Sequence, residues 1–369
     1  MSIFKDWLEN QGKLIVTQPL SHAVPALSDY AQTEGLAHLG KRLLARKLYL
    51  FLTGQGKLRR TVTDKQWTHG LWIYERTAQI GDSLMDLAAR SLFSEFGCEV
   101  DLLCKQNLGP LYQKDPWFRH IFTAPEQALG DKYDFVIIQS IHHRSLKHKI
   151  RFFKSLPWVC IQEFYDVPDF SRAQWGAQRI SDLWTKQQIQ LEWHGKQKIH
   201  YDACKQQSRK EGLRIVLALG GVDSVRTYQS WSQVVSGLSD DMRHHITLTG
   251  TGEIAQLQAQ KIMQNNSYLD IENKVNQTSL DDIKTIFACC DMLVCADGGL
   301  MHLGVACDVK IILGLFIERI PPAYRLPRDY HDMALVSPTG SVNDIEASHV
   351  VNKLRQLMSA SPSRPRFVS

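Results

Sequence analysis

The sequence predicts an α/β protein of two parallel-sheet domains that follow a helical extension. From His69 onward, short β-rich runs alternate with amphipathic helical stretches. The β-rich runs are apolar throughout, which is typical of strands buried on both faces. The chain has 369 residues, 44% of them apolar, enough for two cores of ordinary size. We therefore expect an extension over residues 1–65 and domains over 66–200 and 201–369.

The extension has a composition of its own. A helical pattern over residues 27–45 leads into a basic segment, and no acidic residue occurs between Gly35 and Thr63. A basic helix with a leucine-rich face could lie on an anionic membrane surface. The alternative is an added helical layer on the first domain, with its charges in solvent. The residues concerned are Lys41, Arg42, Leu43, Leu44, Arg46, Lys47, Leu48, Leu50, Phe51, Lys57, Arg59 and Arg60.

Eight runs are predicted as strands, and a polar stretch over 184–208, rich in Gln and Lys, is predicted as a helical domain boundary. In parallel sheets ligands bind beyond the carboxyl ends of the strands, so the chemistry is expected in strand-to-helix loops. The predicted strands are 71–75, 100–104, 135–139 and 158–162 in the first domain, and 214–219, 245–249, 292–295 and 310–316 in the second.

The second domain contains a strand, a glycine turn and a helix over residues 291–307. The helix start offers unpaired N–H groups and the positive end of the helix dipole, which suit a diphosphate. We expect a ligand to contact the turn and the first helical residues, with His302 as an added donor. The candidate residues are Asp297, Gly298, Gly299, Leu300, Met301 and His302.

The first domain carries a matching arrangement. Its first predicted strand runs through a loop into a Gly81-Asp82 pair that opens a helix. Asp82 would thus face the loops at the strand ends, where a carboxylate can act as a general base. The alternative role for Asp82 is that of a helix N-cap.

These two segments resemble glycosyltransferase family 9, the bacterial heptosyltransferases of lipopolysaccharide inner core. Asp297, Gly299 and His302 stand as in that family's D-x-G-x-x-H signature, and Gly81-Asp82 resembles its first loop. The resemblance implies a GT-B type fold of two facing Rossmann-like domains, Asp82 as catalytic base and a donor site around residues 297–302.

Weaker matches extend the resemblance through the second domain. Arg226 stands where the family has a lysine that contacts donor phosphate, and Glu253 where an acid is thought to hold the ribose. The departures are Gly298 in place of Ser or Thr, Lys310 in place of Pro, and a stretch over 314–319 unlike the usual phosphate loop. They leave the identity of the donor open.

A basic cluster over residues 139–154 suggests the acceptor. No acid occurs between Phe135 and Gln162, and the cluster follows a predicted strand of the first domain. Its side chains could bind phosphates or Kdo carboxylates of a lipid acceptor, whereas the alternative is a solvated basic helix. The acceptor candidates are His142, His143, Arg144 and Lys147.

The predicted function is an inverting glycosyltransferase that moves heptose from ADP-heptose onto a lipopolysaccharide core acceptor, either lipid A–Kdo or core oligosaccharide. No DxD motif occurs, so we expect neither metal nor cofactor. The alternatives are a transferase for another nucleotide sugar, a nucleotide-sugar epimerase and a non-catalytic relative. A nucleic-acid partner is not expected, because the basic segments lack aromatic stacking platforms and any known binding motif.

The chain is expected in the cytoplasm, associated peripherally with the inner face of the inner membrane. No apolar run approaches the roughly 18 residues that span a bilayer, and the N-terminus lacks a signal-peptide core. The eight cysteines show no metal-binding spacing and are expected as reduced core residues. A net excess of Lys and Arg over Asp and Glu, 43 to 38, favours anionic partners.

Overall fold

A computed structural model describes residues 2–360 except 23, 65, 76, 166, 168, 186–188, 203–211, 222 and 239–243. The chain divides into two compact units. Unit 1 comprises Met1–His200 with Ala323–Arg325, and unit 2 comprises Tyr201–Pro322 with Leu326–Ser369.

Unit 1 is built on a six-stranded parallel sheet in the order β1-β6-β5-β2-β3-β4. After the edge strand β1, the chain passes to the centre with β2, adds β3 and β4 on one side, and then crosses to β5 and β6 on the other. The strands are β1 (Arg59–Arg60), β2 (His69–Tyr74), β3 (Glu99–Cys104), β4 (Ile121–Phe122), β5 (Phe135–Ile138) and β6 (Trp158–Cys160).

Helices cover this sheet, and the first three belong to the extension. Those of unit 1 are α1 (Ser2–Gly12), α2 (Leu27–Glu34), α3 (Leu36–Leu52), α4 (Ile80–Asp86), α5 (Ser91–Glu95), α6 (Gly109–Tyr112), α7 (His143–Phe152), α8 (Arg172–Leu183) and α9 (Leu191–His194).

Unit 2 repeats the plan with a parallel sheet in the order β12-β11-β10-β7-β8-β9. Here β7 is the central first strand, and the crossover runs from β9 to β10. The elements are β7 (Arg214–Ala218), α10 (Trp231–Ser236), β8 (His245–Thr249), α11 (Glu253–Asn265), β9 (Ile271–Asn273), α12 (Leu280–Cys289), β10 (Met292–Ala296), α13 (Gly299–Ala306), β11 (Ile311–Phe316), β12 (Leu335–Val336) and α14 (Ala347–Ala360).

The extension packs onto unit 1 through one face of its helices. Leu39 and Leu43 of α3 join a buried cluster with Phe170 and Trp175, and Leu50 joins the core of the sheet. The extension also supplies β1, which pairs with β6 at the edge of the sheet. The added helical layer is therefore present, and its opposite face remains exposed.

All eight predicted strands are present, with bounds that differ by at most two residues. The four that the sequence did not predict are β1, β4, β9 and β12, each of two or three residues at or near a sheet edge. Such strands are too short to show a hydrophobic period, which explains why pattern reading missed them.

The predicted helix over 184–208 is wrong for the described part of that stretch. Helix α8 ends at Leu183, Thr185 has a φ of 55°, and the described residues beyond it form only the four-residue helix α9. The helical pattern over 27–45 is also divided, because Gly35 takes a φ of 85° that ends α2 and starts α3 at a new angle.

One cysteine departs from the expectation of reduced thiols. Cys289, at the half-buried end of α12, is disulfide-bonded. Cys204 lies outside the described residues. The free thiols are those of Cys98, Cys104, Cys160, Cys290, Cys295 and Cys307.

Candidate active site

The first candidate region lies at the centre of the unit 1 sheet. Strands β2 and β5 are neighbours, and the chain leaves them in opposite directions along the sheet. This is the topological switch point, where the loops beyond the carboxyl ends open a crevice for ligands. The loop after β2 leads to Asp82 on α4, and the loop after β5 leads to His142 at the start of α7.

Asp82 occupies the third position of α4, after the N-cap residue Gln79. Asp82 is therefore not the N-cap of this helix, so the alternative role predicted for it is excluded. Its carboxylate is 29% exposed, and Oδ1 lies 3.0 Å from Nη1 of Arg172. Nη2 of the same guanidinium donates to the Asp82 backbone carbonyl at 3.2 Å. Asp82 thus combines a solvent-facing side chain with a held position.

Beneath Asp82 lies a buried polar network that the sequence did not predict. Arg172 also binds Asp86, with Nε to Oδ1 at 2.8 Å and Nη2 to Oδ2 at 2.7 Å. The Tyr74 hydroxyl and the Gln162 amide donate to the same carboxylate. Burial lowers the pKa of Arg172, but the charges of Asp86 and Asp82 outweigh this and raise it well above its usual range.

Burial, followed by the charge of Asp86, holds the pKa of Tyr74 well above its usual range. Tyr74 therefore stays a neutral donor to Asp86 over the ordinary pH range. The sequence carried one usable signal for this network, because Asp82 and Asp86 are four residues apart and lie on one helix face. Arg172 is ninety positions away, and nothing local connected it with them.

The acceptor candidates lie on α7, and their side chains divide into two sets. His142 is the N-cap, its Nδ1 accepting the N–H of Arg144 at 3.4 Å, and the side chains of Arg144 and Lys147 are exposed. The side chain of His143 lies outside the described part of the structure. Of the basic residues over 139–154, Lys149 is fully buried.

Lys149 donates to the side-chain oxygen of Gln55 and to the carbonyl of Lys154. Both acceptors are neutral, so burial lowers the pKa of Lys149 to about 8. Lys149 therefore links α7 to the turn after α3 and is not available to an acceptor.

The second candidate region lies at the switch point of the unit 2 sheet, where β7 and β10 are neighbours. Asp297 follows β10 and is buried, with a side chain 3% exposed. Arg226 comes from the loop after β7, and its Nη1 lies 3.4 Å from Oδ2 of Asp297. His302 of α13 reaches the other oxygen, with Nε2 3.9 Å from Oδ1. The structure thus brings three predicted donor-site residues together.

The start of α13 has the geometry of an anion site. The N–H groups of Gly299 and Leu300 open the helix and so have no carbonyl partner in a preceding turn. Gly299 is exposed and Leu300 half-buried. The macrodipole of the helix adds a positive potential at this end.

Two details of the turn differ from the expectation. Gly298 has extended backbone, and a Cβ there would only touch the Ala296 carbonyl at 3.8 Å. The protein itself does not require glycine at this position, which agrees with the Ser or Thr of the resembling family. Met301 is buried and its N–H donates to the Gly298 carbonyl at 3.1 Å, so it belongs to the core rather than to a donor site.

Glu253 is the exposed first residue of α11, after the loop that follows β8. This loop passes close to the end of β7, because a Cβ on Gly250 would lie 2.5 Å from the Leu219 carbonyl oxygen. Glu253 and Arg226 therefore both follow strands at the carboxyl edge of the unit 2 sheet, since β7 and β8 are also neighbours.

Among the described residues, one group has the spacing to hold a metal ion: Asp101, His120 and Asp131. It lies toward the amino ends of β3 and β4, away from the loops considered above. Arg119 already binds both carboxylates, with Nη2 at 2.8 Å from Asp101 and 3.1 Å from Asp131. A guanidinium therefore occupies the position that a cation would need.

Residues 183–352 match the family model described as glycosyltransferase family 9 (heptosyltransferase). This stretch of the chain is a glycosyltransferase family 9 domain. The predicted resemblance and the predicted enzyme class are confirmed with it. The candidate donor residues of unit 2 all fall inside the glycosyltransferase family 9 match, whereas Asp82 and the α7 residues fall outside it. Comparison with curated proteins finds no match to the sequence.

Solved structures agree with the fold. The glycosyl transferase family 9 structure from Veillonella parvula has a TM-score of 0.62 at 10% identity, covering 82% of this chain and all of its own. The E. coli ADP-heptose lps heptosyltransferase II has 0.62 at 17%, covering 79% and 99%. E. coli heptosyltransferase WaaC with ADP has 0.60 at 14%, covering 79% and 99%. Identities this low establish similarity of fold, and both Rossmann-like domains of the predicted class are present.

The helices that the structure describes include none with the length and apolar content needed to cross a bilayer.

Proposed function

We propose that the chain transfers heptose from ADP-heptose, with inversion, to an acidic glycolipid acceptor of the lipopolysaccharide core. The observation that carries the proposal is the cluster of Arg226, Asp297 and His302 beside the start of α13, inside the family 9 match. Two of the similar solved structures are heptosyltransferases whose descriptions name ADP-heptose or ADP.

The donor diphosphate would bind at the start of α13. The N–H groups of Gly299 and Leu300, the helix dipole and Arg226 all present positive charge to one place. Fixed positive charge of this kind stabilises a leaving diphosphate without a divalent cation, so we propose metal-independent transfer. Glu253 would accept hydrogen bonds from the ribose hydroxyls. We propose that no further cofactor takes part.

Asp82 would act as the general base. It would take the proton of the acceptor hydroxyl while the new bond to the anomeric carbon forms and the bond to the diphosphate oxygen breaks. One base and no covalent nucleophile give a single displacement, which inverts the anomeric centre. The partly exposed carboxylate of Asp82, held by Arg172, supports this role.

The acceptor would be bound by His142, Arg144 and Lys147 at the start of α7, which follows the strand next to that of Asp82. Exposed guanidinium and ammonium groups favour phosphates or carboxylates of a lipid A–Kdo or core oligosaccharide. His143 keeps this role as a prediction only.

The extension would bind the chain to the anionic inner face of the inner membrane. The outer face of α3 carries Leu44, Leu48, Phe51 and Leu52, with Leu48 57% and Phe51 79% exposed. These positions follow the i, i+4, i+7, i+8 pattern of one helix face. The exposed basic residues Lys41, Lys57 and Arg60 lie along the same segment. Lys47 and Arg59, by contrast, are half-buried and bind the side chains of Gln11 and Glu163.

The donor is tested by thermal shift against ADP-, UDP- and GDP-sugars. A ligand at 100 times its dissociation constant stabilises the folded state by about 2.7 kcal/mol. We expect the melting temperature to rise with ADP-heptose, and also with ADP that carries no sugar. A rise only with UDP- or GDP-sugars would replace the proposed donor with another nucleotide sugar.

The reaction class is tested by following donor and acceptor together. We expect ADP release that depends on the glycolipid acceptor, with labelled sugar recovered in the lipid. Conversion of the nucleotide sugar without any acceptor would indicate an epimerase. Binding of ADP-heptose without either reaction would indicate a non-catalytic relative.

Membrane binding is tested by co-sedimentation with vesicles of phosphatidylcholine, with and without phosphatidylglycerol. We expect binding that requires the anionic lipid and weakens with salt. Replacing Leu48 and Phe51 by Gln should abolish it, whereas Leu129→Gln, an equally exposed leucine elsewhere in unit 1, should not. Equal binding by all three proteins would overturn the membrane role of α3.

A further inference from the structure

The first residue of α8 contacts the proposed base directly. We infer that Arg172 is the positioning residue of Asp82: it fixes the carboxylate in the orientation that receives the acceptor proton. The inference rests on the proposed role of Asp82. It identifies Arg172 as the residue that connects Asp82 with the rest of unit 1.

The contact geometry fits orientation rather than simple charge pairing. Arg172 holds Oδ1 of Asp82 through Nη1 at 3.0 Å and the Asp82 backbone carbonyl through Nη2 at 3.2 Å. Two contacts from one planar group fix the side chain and the helix turn that carries it. An ammonium group is a point charge and cannot reproduce that fork.

Arg172 is itself immobilised from below. Its other edge makes a bidentate pair with Asp86, whose oxygens also accept from Tyr74 and Gln162. The side chain of Arg172 is only 5% exposed, so these bonds form in a region of low dielectric where they are strong. The guanidinium is therefore held by Asp86 as well as by Asp82, and can act as a support for the latter.

Helix α8 is in turn held by the extension. Gln174, Gln178 and Asp182 lie on successive turns of one helix face and bond the segment over residues 15–21. Gln174 accepts from the Ser21 N–H at 2.8 Å, and Gln178 accepts from the Gln18 N–H and donates to the Ile15 carbonyl, both at 3.0 Å. Thr17 donates to Asp182 at 3.1 Å. The support of Asp82 thus extends to residues 15–21 of the extension.

The chemical consequence concerns the proton transfer. A carboxylate that can rotate or become protonated is a poorer acceptor at the moment the sugar bond forms, because reaction requires a near-attack geometry. The two contacts from the guanidinium limit the rotation of the carboxylate. Arg172 from α8 contacts this carboxylate, and Arg172 in turn contacts Asp86 of α4, which accepts from Tyr74 of β2.

The test compares Arg172→Lys and Arg172→Gln with the parent enzyme. We expect kcat to fall about 10-fold for Lys and about 100-fold for Gln, with the donor dissociation constant changed less than about 2-fold. The acidic limb of the pH–kcat profile should move to higher pH in Arg172→Gln, because the carboxylate has lost the cation that favours its ionised form. A structural role alone would not move that limb.

A double-mutant cycle separates positioning from loss of fold. If Arg172 acts through Asp82, Arg172→Lys should lower kcat in the parent and leave the residual kcat of Asp82→Asn unchanged. Melting temperatures of all four proteins identify any variant that has failed to fold, and the Lys variant keeps the buried positive charge.

Arg179→Gln is the matched control. Arg179 lies two turns further along α8, is largely buried and pairs with Glu163 at 3.1 Å. This variant should lose stability without a shift of the pH–kcat profile.

Three results would each overturn the inference: full kcat in both Arg172 variants, an equal loss of kcat in the Asp82→Asn background, or the same profile shift in Arg179→Gln. A parent enzyme inactive with every nucleotide sugar would instead overturn the proposed function.

Discussion

Each unit has an aspartate–arginine pair at the switch point of its sheet, and the two pairs are inverted. In unit 1 the carboxylate of Asp82 is 29% exposed and Arg172 only 5%. In unit 2 the carboxylate of Asp297 is 3% exposed and Arg226 33%. Unit 1 therefore presents an anion backed by a buried cation, and unit 2 presents a cation backed by a buried anion.

The opposite arrangement of charge in the two pairs suits them to different chemistry on the same fold. A base must offer a negative oxygen to solvent-side ligands, whereas a diphosphate site must offer positive charge. The residue that faces solvent carries the expected function, and its buried partner determines where it points. Substituting the exposed and the buried member of each pair should therefore have unequal effects.

The largest effect is expected for Asp82→Asn. The amide keeps the size of the side chain but cannot accept the hydroxyl proton, so transfer should fall by roughly 100-fold or more while donor affinity is retained. Single-turnover transfer, donor affinity and melting temperature together measure this. Asp29→Asn, at the same helix position on α2, is the control and should stay fully active. Full activity in folded Asp82→Asn would remove Asp82 from the mechanism.

The exposed member of the unit 2 pair should mainly affect binding. Arg226→Ala removes a charge-assisted contact to phosphate, for which about 1.5–3 kcal/mol, roughly 10- to 100-fold in donor affinity, is expected. Calorimetric titration with ADP measures it. The control is Arg214→Ala. Arg214 pairs with Asp291 at the amino ends of the strands, away from the proposed site, so this variant should bind ADP normally. Unchanged affinity in Arg226→Ala would place the diphosphate elsewhere.

The buried member of that pair should have a smaller effect on binding. Asp297→Asn leaves Arg226 charged but weakens the contact that orients it, so donor affinity should fall only about 3- to 10-fold. The same titration applies, with melting temperature as the check on folding. A loss greater than that of Arg226→Ala in a stably folded protein would mean that Asp297 contacts the donor itself.

The smallest effect concerns a buried cation of unit 1 that has no carboxylate beside it among the described residues. Burial lowers the pKa of Lys149 to about 8, below its value in the unfolded chain. Between pH 8 and about 10.5 the unfolded state binds more protons, so this residue makes stability rise with pH. Urea unfolding of Lys149→Met across this window should lack that rise. Lys147→Met, with an exposed side chain on the same helix, should retain it.

The sequence predicted the sheets well because long central strands carry unbroken apolar runs. It also predicted the Asp297–His302 segment, because a buried strand, a glycine turn and a helix are contiguous along the chain. Arg226 contacts Asp297, while the role of this cluster in donor binding remains a prediction. For Met301 the sequence shows only that the residue lies in a helix start, not that its side chain is buried and its N–H already bonded.

Burial was the property that the sequence could not supply. The basic segments over residues 41–60 and 142–154 look alike in the sequence, yet the structure separates their members by burial. Lys149 is buried and Lys47 and Arg59 are half-buried, whereas Lys41, Lys57, Arg60 and Lys147 are exposed. The sequence did not predict a role for Arg172, because its partners lie on a different helix that is far away in sequence. Long-range pairing of this kind leaves no local periodicity to detect.

The pairing of β1 with β6 has a further consequence for the edge of the unit 1 sheet. An outermost strand exposes unpaired N–H and C=O groups that can recruit a strand of another molecule. Here that strand is only Arg59–Arg60, two positively charged residues. A second copy approaching this edge would meet like charges and too few backbone partners. The extension thereby protects this edge of the sheet against edge-to-edge aggregation, and a variant shortened beyond residue 60 would expose β6 in place of β1.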